Sequence, residues 1–227
     1  MRAIAIVPVK RFAEAKTRLL DALDRPQRAS LLKAMLADVL EALSQAEAIE
    51  RVIVVTGEGR AERLALGHAR GSDTPLEVFR DPDDPGHSET ATLGIVRAKA
   101  LGADCVALLP GDCPLLDPVE LDSALERMHA GRVAVIPDRH RTGTNGLILS
   151  PADAIGPAFG EGSRDRHAER AARAGYEVAV EELDSLALDL DTPDDLTALA
   201  QALAAAPGRA PATAAALEEL GLSARVG

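Results

Sequence analysis

"SLLKAMLADVLEALSQAEAIERVIVVTG", residues 30–57, is the stretch that decides the fold. In its first half Leu31, Leu32, Met35, Leu36, Val39, Leu40 and Leu43 recur with a period near 3.6, which gathers them on one face of a helix. Its second half ends in "RVIVVTG" (51–57), a β-branched run closed by glycine that reads as a buried strand. Upstream, "AIAIVPV" (3–9) reads as another strand, so that strand, helix and strand form one βαβ unit.

The alternation continues through "LEVFRD" (76–81), "CVALLPGD" (105–112), "RVAVIPD" (132–138), "GLILS" (146–150), "YEVAVEEL" (176–183) and "LALDLD" (186–191), all read as strands. Repeated βαβ units predict an α/β fold with a mainly parallel sheet covered by helices on both faces. In such sheets ligands bind beyond the carboxyl ends of the strands, which says where functional residues should stand. At 227 residues the chain fits one domain, placed at 1–205. Residues 206–227, within "AAAPGRAPATAAALEELGLSARVG", read as an Ala/Pro-rich tail with one peripheral helix, loosely attached or disordered.

Composition excludes several classes of function. A net charge of -11 repels a phosphate backbone and an anionic bilayer, so neither nucleic acid nor membrane is an expected partner. With three Phe, one Tyr and no Trp, stacking platforms for single strands are lacking as well. No run approaches a membrane span and no signal-peptide pattern opens the chain. Cys105 and Cys113 have neither a metal-ligand nor a redox spacing and read as core thiols in a reducing cytoplasm. The expected location is cytoplasmic.

Against that acidic background, "VPVKRFAEAKTRL" (7–19) collects Lys10, Arg11, Lys16 and Arg18 where the first strand ends. The segment has neither G-x-G-x-x-G nor a Walker sequence, so any phosphate there must be held by ammonium and guanidinium groups. After the fourth strand, "LLPGDCPLLDP" offers Asp112 beside Gly111, where backbone can approach a ligand. Asp117 is explained by capping, since Asp-Pro-x-Glu at 117–120 supplies an N-cap, a first-turn proline and a reciprocal acid.

In "SLALDLDTPDDL", Leu186, Leu188 and Leu190 alternate with Ala187, Asp189 and Asp191. An extended segment would project both acids from one face, roughly 7 Å apart. Either Asp191 or Thr192 could cap the helix that begins at "TPDD". Asp112, Asp189 and Asp191 together match the needs of Mg2+: oxygen ligands, waters and substrate phosphates. With the cationic loop they suggest a nucleoside triphosphate site.

A second anion pocket is suggested by "RHRTGTNGLIL" (139–149) and "FGEGSRDRHAERAARAGY" (159–176). The first stretch also reads as a plain turn into a strand. In the second, Ser163 reads as the N-cap of an Ala-rich helix whose free amides attract carboxylate or phosphate. Arg164, Arg166 and His167 bring positive charge to that first turn, which an acidic ligand would offset. His167 reads equally well as an ordinary surface residue.

At these motifs the chain resembles the 2-phospho-L-lactate or phosphoenolpyruvate guanylyltransferases of coenzyme F-420 biosynthesis, over about residues 4–200. The likeness rests on "VPVKRFAEAKTRL", "GDCPLLDP", "TGTNGL", "FGEGSRDRH" and "LDLDTPDDL". It implies a single-domain Rossmann-like, nucleotide-diphospho-sugar-transferase (GT-A-like) three-layer α/β/α fold with a mainly parallel mixed sheet. It implies GTP as donor; Lys10, Lys16, Arg18 and Ser88 are the expected GTP contacts. Asp112, Asp189 and Asp191 would bind Mg2+, and Asp112 and Lys16 would be the catalytic pair. Thr144, Gly160 and Ser163 would hold the carboxylate of a phosphorylated three-carbon acid.

One stretch departs from the family pattern. Where members often carry Gly-Leu-Asn-x-Ala, this chain reads "GHSETATLGI" from Gly86, leaving His87, Ser88, Glu89 and Thr90 as candidate polar contacts to guanine or ribose. The implied reaction is in-line attack of the acceptor's phosphate oxygen on the α-phosphorus of GTP, with pyrophosphate leaving. Phosphate is nucleophilic at neutral pH, so the lack of a Ser-His-Asp or Cys-His arrangement is consistent with it. Two rivals are a sibling enzyme acting on a molybdopterin or sugar phosphate, and a nucleotide-binding protein without catalysis. Hand-off of product to the next pathway enzyme is a further expectation.

Overall fold

Strand β1 (Ala3–Val9) is buried at every position because helices cover both of its faces. Ala3, Ala5, Val7 and Val9 join a core with Val39, Leu40 and Leu43 of helix α1 (Arg25–Gln45). Ile4 and Ile6 point the other way, against Ala91, Ile95 and Ala98 of α3 (His87–Ala100). The two-residue period of the strand thus feeds two aliphatic layers. Gly94 brings α3 close: a Cβ there would stand 2.3 Å from Ile6 Cγ2.

The computed structural model describes residues 1–12, 16, 19, 23–81, 83 and 86–223. Among these, β1 pairs in parallel with β2 (Ile49–Thr56) and with β4 (Cys105–Leu108), and β2 with β3 (Leu76–Arg80). β6 (Thr144–Ser150) runs antiparallel to both β4 and β5 (Arg132–Pro137), and β7 (Glu177–Val180) is parallel to β5. The order is β3-β2-β1-β4-β6-β5-β7, the mainly parallel mixed sheet expected. Helices α1, α2 (Gly59–His68) and α4 (Pro118–Glu126) contribute to one layer, and α3 and α5 (Ser163–Arg173) to the other. A third cluster joins α1 to α6 (Pro193–Ala205) and α7 (Pro211–Glu219).

Three readings of the sequence are corrected. "LALDLD" (186–191) is not a strand: a 3-10 turn at Asp184–Leu186 leads into irregular backbone. The leucines alternate because they enter different cores, Leu186 the sheet layer and Leu190 the cluster under α6. The carbonyls of Leu186 and Ala187 are satisfied without a ladder, by Asn145 Nδ2 and the Arg139 amide.

Ser163 is not an N-cap. Gly162, in the left-handed region at φ +66°, precedes α5, and Ser163 is its first helical residue. The tail does carry one helix, α7, but not a loosely attached one. Its Leu217 and Thr213 are buried, and Asp38 of α1 accepts hydrogen bonds from Thr213 N (2.7 Å), Thr213 Oγ1 (2.6 Å) and Ala212 N (3.1 Å).

Candidate active site

Because β6 is antiparallel to β4, its first residues lie at the same edge as the carboxyl ends of β1 and β4. Segments after β1 and β4, the start of β6 and the 186–192 segment converge there. Lys10 is exposed just past β1, and Phe12 turns back into the core while its amide donates to Glu58 Oε2 at 3.1 Å. Arg18 lies outside the described residues.

Lys16 crosses the edge. Its φ is +56°, the left-handed region that a residue with a Cβ enters at some energetic cost. Its carbonyl accepts from the Leu19 amide at 3.0 Å and from the buried Arg28 guanidinium at 3.3 Å. Its ammonium contacts Asp112 Oδ2 and lies 2.5 Å from Asp191 Oδ1. Burial alone would lower this lysine's pKa, but the charges of Asp112 and Asp191 outweigh it and hold the group well above its usual range. Lys16 is therefore a fixed cation. The Asp191 side chain is 51% exposed, so the ion pair is open to a ligand from solvent on that side.

Asp112 follows Gly111, whose lack of a side chain serves packing: a Cβ would lie 3.2 Å from Leu36 Cδ1. Asp191 is free for chemistry because Thr192 caps α6, in a reciprocal box with Asp195. Asp117 caps α4 as expected, whereas Glu120 receives the Ser185 amide at 3.1 Å instead of closing that box. Asp189 is held by Asn145, whose Nδ2 donates to its Oδ1 at 3.2 Å and to Leu186 O at 2.8 Å. Burial first, then the charge of Asp112, raises Asp189 to about 6, with Lys16 opposing.

On the other side of β6 lies the second group. Thr144 Oγ1 is 3.0 Å from His167 Nδ1, and the Ala158 amide donates to His167 Nε2 at 2.8 Å. His167 is fully buried, not a surface residue. Burial, then Arg170 and Arg166, lowers it to about 4, so the ring is neutral. Ser163 Oγ is also buried, without a hydrogen-bond partner among the described residues. Gly160 adopts φ +107°, a conformation open to glycine. Ser88 Oγ accepts the Phe159 amide at 3.0 Å, tying α3 to this loop. Successive residues Thr144 and Asn145 thus serve opposite sides of one strand.

Sequence reasoning missed Asn145 and the burial of His167. Asn145 stood in a stretch read as a turn, and the signal available was its place directly before the apolar run "GLIL". Both cysteines are buried and free, as expected of core thiols. Burial, then Asp104, pushes Cys105 up to about 12, and burial raises Cys113 as well.

A divalent cation fits the donor set in part. Among the described residues no three acidic, His or Cys side chains form a ready metal-ligating group. Yet the hard oxygens of Asp112, Asp189 and Asp191 are close enough for their charges to raise Asp189, a repulsion that a cation relieves. Mg2+ is usually bound by one or two carboxylates with substrate phosphates completing the shell, so a closed cage is not required.

A family model described as "Guanylyl transferase CofC like" matches residues 2–203. The phosphoenolpyruvate guanylyltransferase of Conexibacter woesei is 42% identical over 222 residues, 97% of each chain. That of Sphaerobacter thermophilus is 36% identical over 200 residues, 88% of this chain and 93% of its own. A solved structure described as a nucleotide-diphospho-sugar transferase from Desulfovibrio desulfuricans G20 superposes with a TM-score of 0.74 at 20% identity, covering 96% of this chain and 95% of that one. At that identity it shows the fold. Among the described residues, no helix is long and apolar enough to cross a membrane.

Proposed function

The chain belongs to the CofC-like guanylyl transferase family, and from that premise we propose that it joins GMP from GTP to phosphoenolpyruvate and releases pyrophosphate. The observation that supports this most is the placement of two unlike sites on either side of the start of β6. On one side Lys16 sits between Asp112 and Asp191; on the other stand the buried hydroxyls of Thr144 and Ser163. A triphosphate and a small carboxylate-bearing phosphate call for these two kinds of site.

In the reaction an oxygen of the acceptor's phosphate attacks the α-phosphorus of GTP. The bond to the bridging α–β oxygen breaks, and its electrons leave with pyrophosphate. No general base is needed. Lys16, with Lys10 and Arg18, takes the β- and γ-phosphates, exchanging its contacts with the carboxylates for phosphate oxygens. Ser88 would contact the nucleoside, and Thr144, Gly160 and Ser163 hold the acceptor's carboxylate. Asp112, Asp189 and Asp191 would hold Mg2+, which when bound supplies charge neutralisation at the α-phosphate. Bringing two polyanions together is the main barrier such a site lowers.

On this reading the protein serves coenzyme F-420 biosynthesis, works in the cytoplasm and hands its anhydride product to the next enzyme. Pyrophosphate release from GTP should depend on Mg2+ and on phosphoenolpyruvate. 2-Phospho-L-lactate and 3-phosphoglycerate serve as alternative acceptors, and ATP and CTP as donor controls. Release with 2-phospho-L-lactate alone would replace the acceptor, and no release from a folded protein that binds GTP would overturn the reaction.

A further inference from the structure

The Ala158 amide donates to His167 Nε2 at 2.8 Å. A backbone amide can only donate, so Nε2 carries no proton, and the neutral ring has its single proton on Nδ1. Nδ1 stands 3.0 Å from Thr144 Oγ1, so the ring is the donor there. A hydroxyl that accepts this bond keeps its own proton for another acceptor. Among the described residues no protein group takes it.

The neighbourhood holds the ring in place. Phe159 meets His167 edge-on at 5.3 Å between centroids, and His87 meets Phe159 in the same way at 4.8 Å. Ser163 and His167 are four residues apart on α5 and share a face of it. The Ser163 hydroxyl, buried and without a partner among the described residues, is thus a second donor on the α5 face that carries His167. A buried hydroxyl without a partner is costly unless a ligand satisfies it.

We propose that His167 is a positioning residue: by donating from Nδ1 to Thr144 it turns that hydroxyl's proton toward the acceptor, so that Thr144 and Ser163 present paired donors to a carboxylate. This rests on the proposed reading of Thr144 and Ser163 as acceptor ligands. Left to rotate, the Thr144 hydroxyl would spend part of its time with a lone pair facing the anion. Pinning it removes that orientation before the acceptor arrives. The neutral ring accomplishes this without adding charge, and the nearby Arg166 and Arg170 favour that neutral state.

The test is a double-mutant cycle in the full chain, read as separate KM values for phosphoenolpyruvate and GTP. Thr144→Val should raise the acceptor KM about tenfold, the weight of a hydrogen bond to a charged group. His167→Gln keeps the Ala158 bond but withdraws the donor from Thr144, and should raise it by a similar factor with the GTP KM unchanged. Because His167 acts through Thr144, the double variant should be no worse than Thr144→Val alone. His167→Asn sets an amide N–H where Nδ1–H stood and should recover the acceptor KM to within about threefold.

Additive effects, equal rises in both KM values, or a Gln variant better than the Asn variant would show that His167 only supports the loop, and would overturn the proposal. A second readout is independent of any acceptor. Long-range 1H–15N correlation spectra of the wild-type protein should show His167 as the Nδ1–H tautomer, and a proton on Nε2 overturns the proposal by itself. The Nδ1–H tautomer found together with a Thr144→Val variant of normal acceptor KM would locate the failure in the acceptor assignment, and the proposal would fall with it.

Discussion

Lys16 Nζ lies 2.5 Å from Asp191 Oδ1, a residue 175 positions further along the chain, and contacts Asp112 at the same time. The ammonium therefore bridges two carboxylates brought to one sheet edge from distant parts of the chain. A polyphosphate offers that cation better partners than two carboxylates do, since each of its groups carries more oxygen acceptors.

Lys16→Ala should accordingly raise the KM for GTP by at least about tenfold, the usual weight of a charge-assisted contact, and leave the acceptor KM nearly unchanged. Asp112→Asn should lower kcat by about a hundredfold or more while the protein stays folded. Steady-state kinetics with each substrate varied separately decide both. A Lys16→Ala protein impaired only toward the acceptor would mean that the triphosphate binds elsewhere, and near-normal turnover in folded Asp112→Asn would remove the metal assignment.

Asn145 carries the next expectation. It holds the 186–189 segment by its carbonyls and Asp189 by its carboxylate, so Asn145→Ala should cost about 2 kcal/mol in stability and about tenfold in kcat. Asn145→Asp should be worse, because it sets a further negative charge beside a carboxyl already raised by its neighbours. Urea unfolding and kcat measured on the two variants check this. Equal kcat in Ala and Asp variants would mean that Asp189 needs no such support.

The sheet was legible because its strands are short aliphatic runs between helices, and a strand like β1, covered on both faces, must be apolar throughout. The same logic failed at 186–191. Alternating leucines there satisfy two separate cores from an irregular segment, and spacing alone does not distinguish that from a pleat. The rule for α/β sheets points to Asp112 after β4, whereas Asp189 and Asp191 were reached through a strand that the structure does not form, and the partners of these acids were not legible at all. Asn145 looks like turn chemistry, and the burial of His167 arises from Ala158 and Phe159, which no local pattern links to it. The firm attachment of α7 escaped the sequence for a similar reason: the carboxylate that receives the Thr213 amide belongs to Asp38, 175 residues earlier.

His167 makes stability depend on pH with a definite sign. Its pKa falls from 6.5 to about 4 on folding, so between those values the unfolded chain binds a proton that the native chain does not. Stability is therefore full above about pH 6.5 and declines as pH falls toward 4, by about 3 kcal/mol in all. Carboxylates add their own slopes, so the comparison is with His167→Gln. The wild-type protein should lose more stability than the variant between pH 7 and pH 4.5 in urea titrations, with a slope of about one proton. Parallel curves would mean that the ring is not buried in its neutral form.

Asp38 shows how much the Ala-rich end contributes. Ala210, ahead of α7, offers no side-chain cap, and the Asp38 carboxylate receives the Ala212 and Thr213 amides in its stead. It also accepts the hydroxyl of Thr213, which is wholly buried. Asp38→Ala removes a cap, worth about 1 kcal/mol, and strands that hydroxyl, worth about 1–3 kcal/mol more. Asp38→Asn keeps the shape and one acceptor oxygen and should cost roughly half as much. Urea unfolding gives the totals, and amide exchange over residues 211–219 should accelerate before that of β1 and β4 if α7 comes away first. A stability change below about 0.5 kcal/mol for Asp38→Ala would return the helix to the status of a loosely held tail.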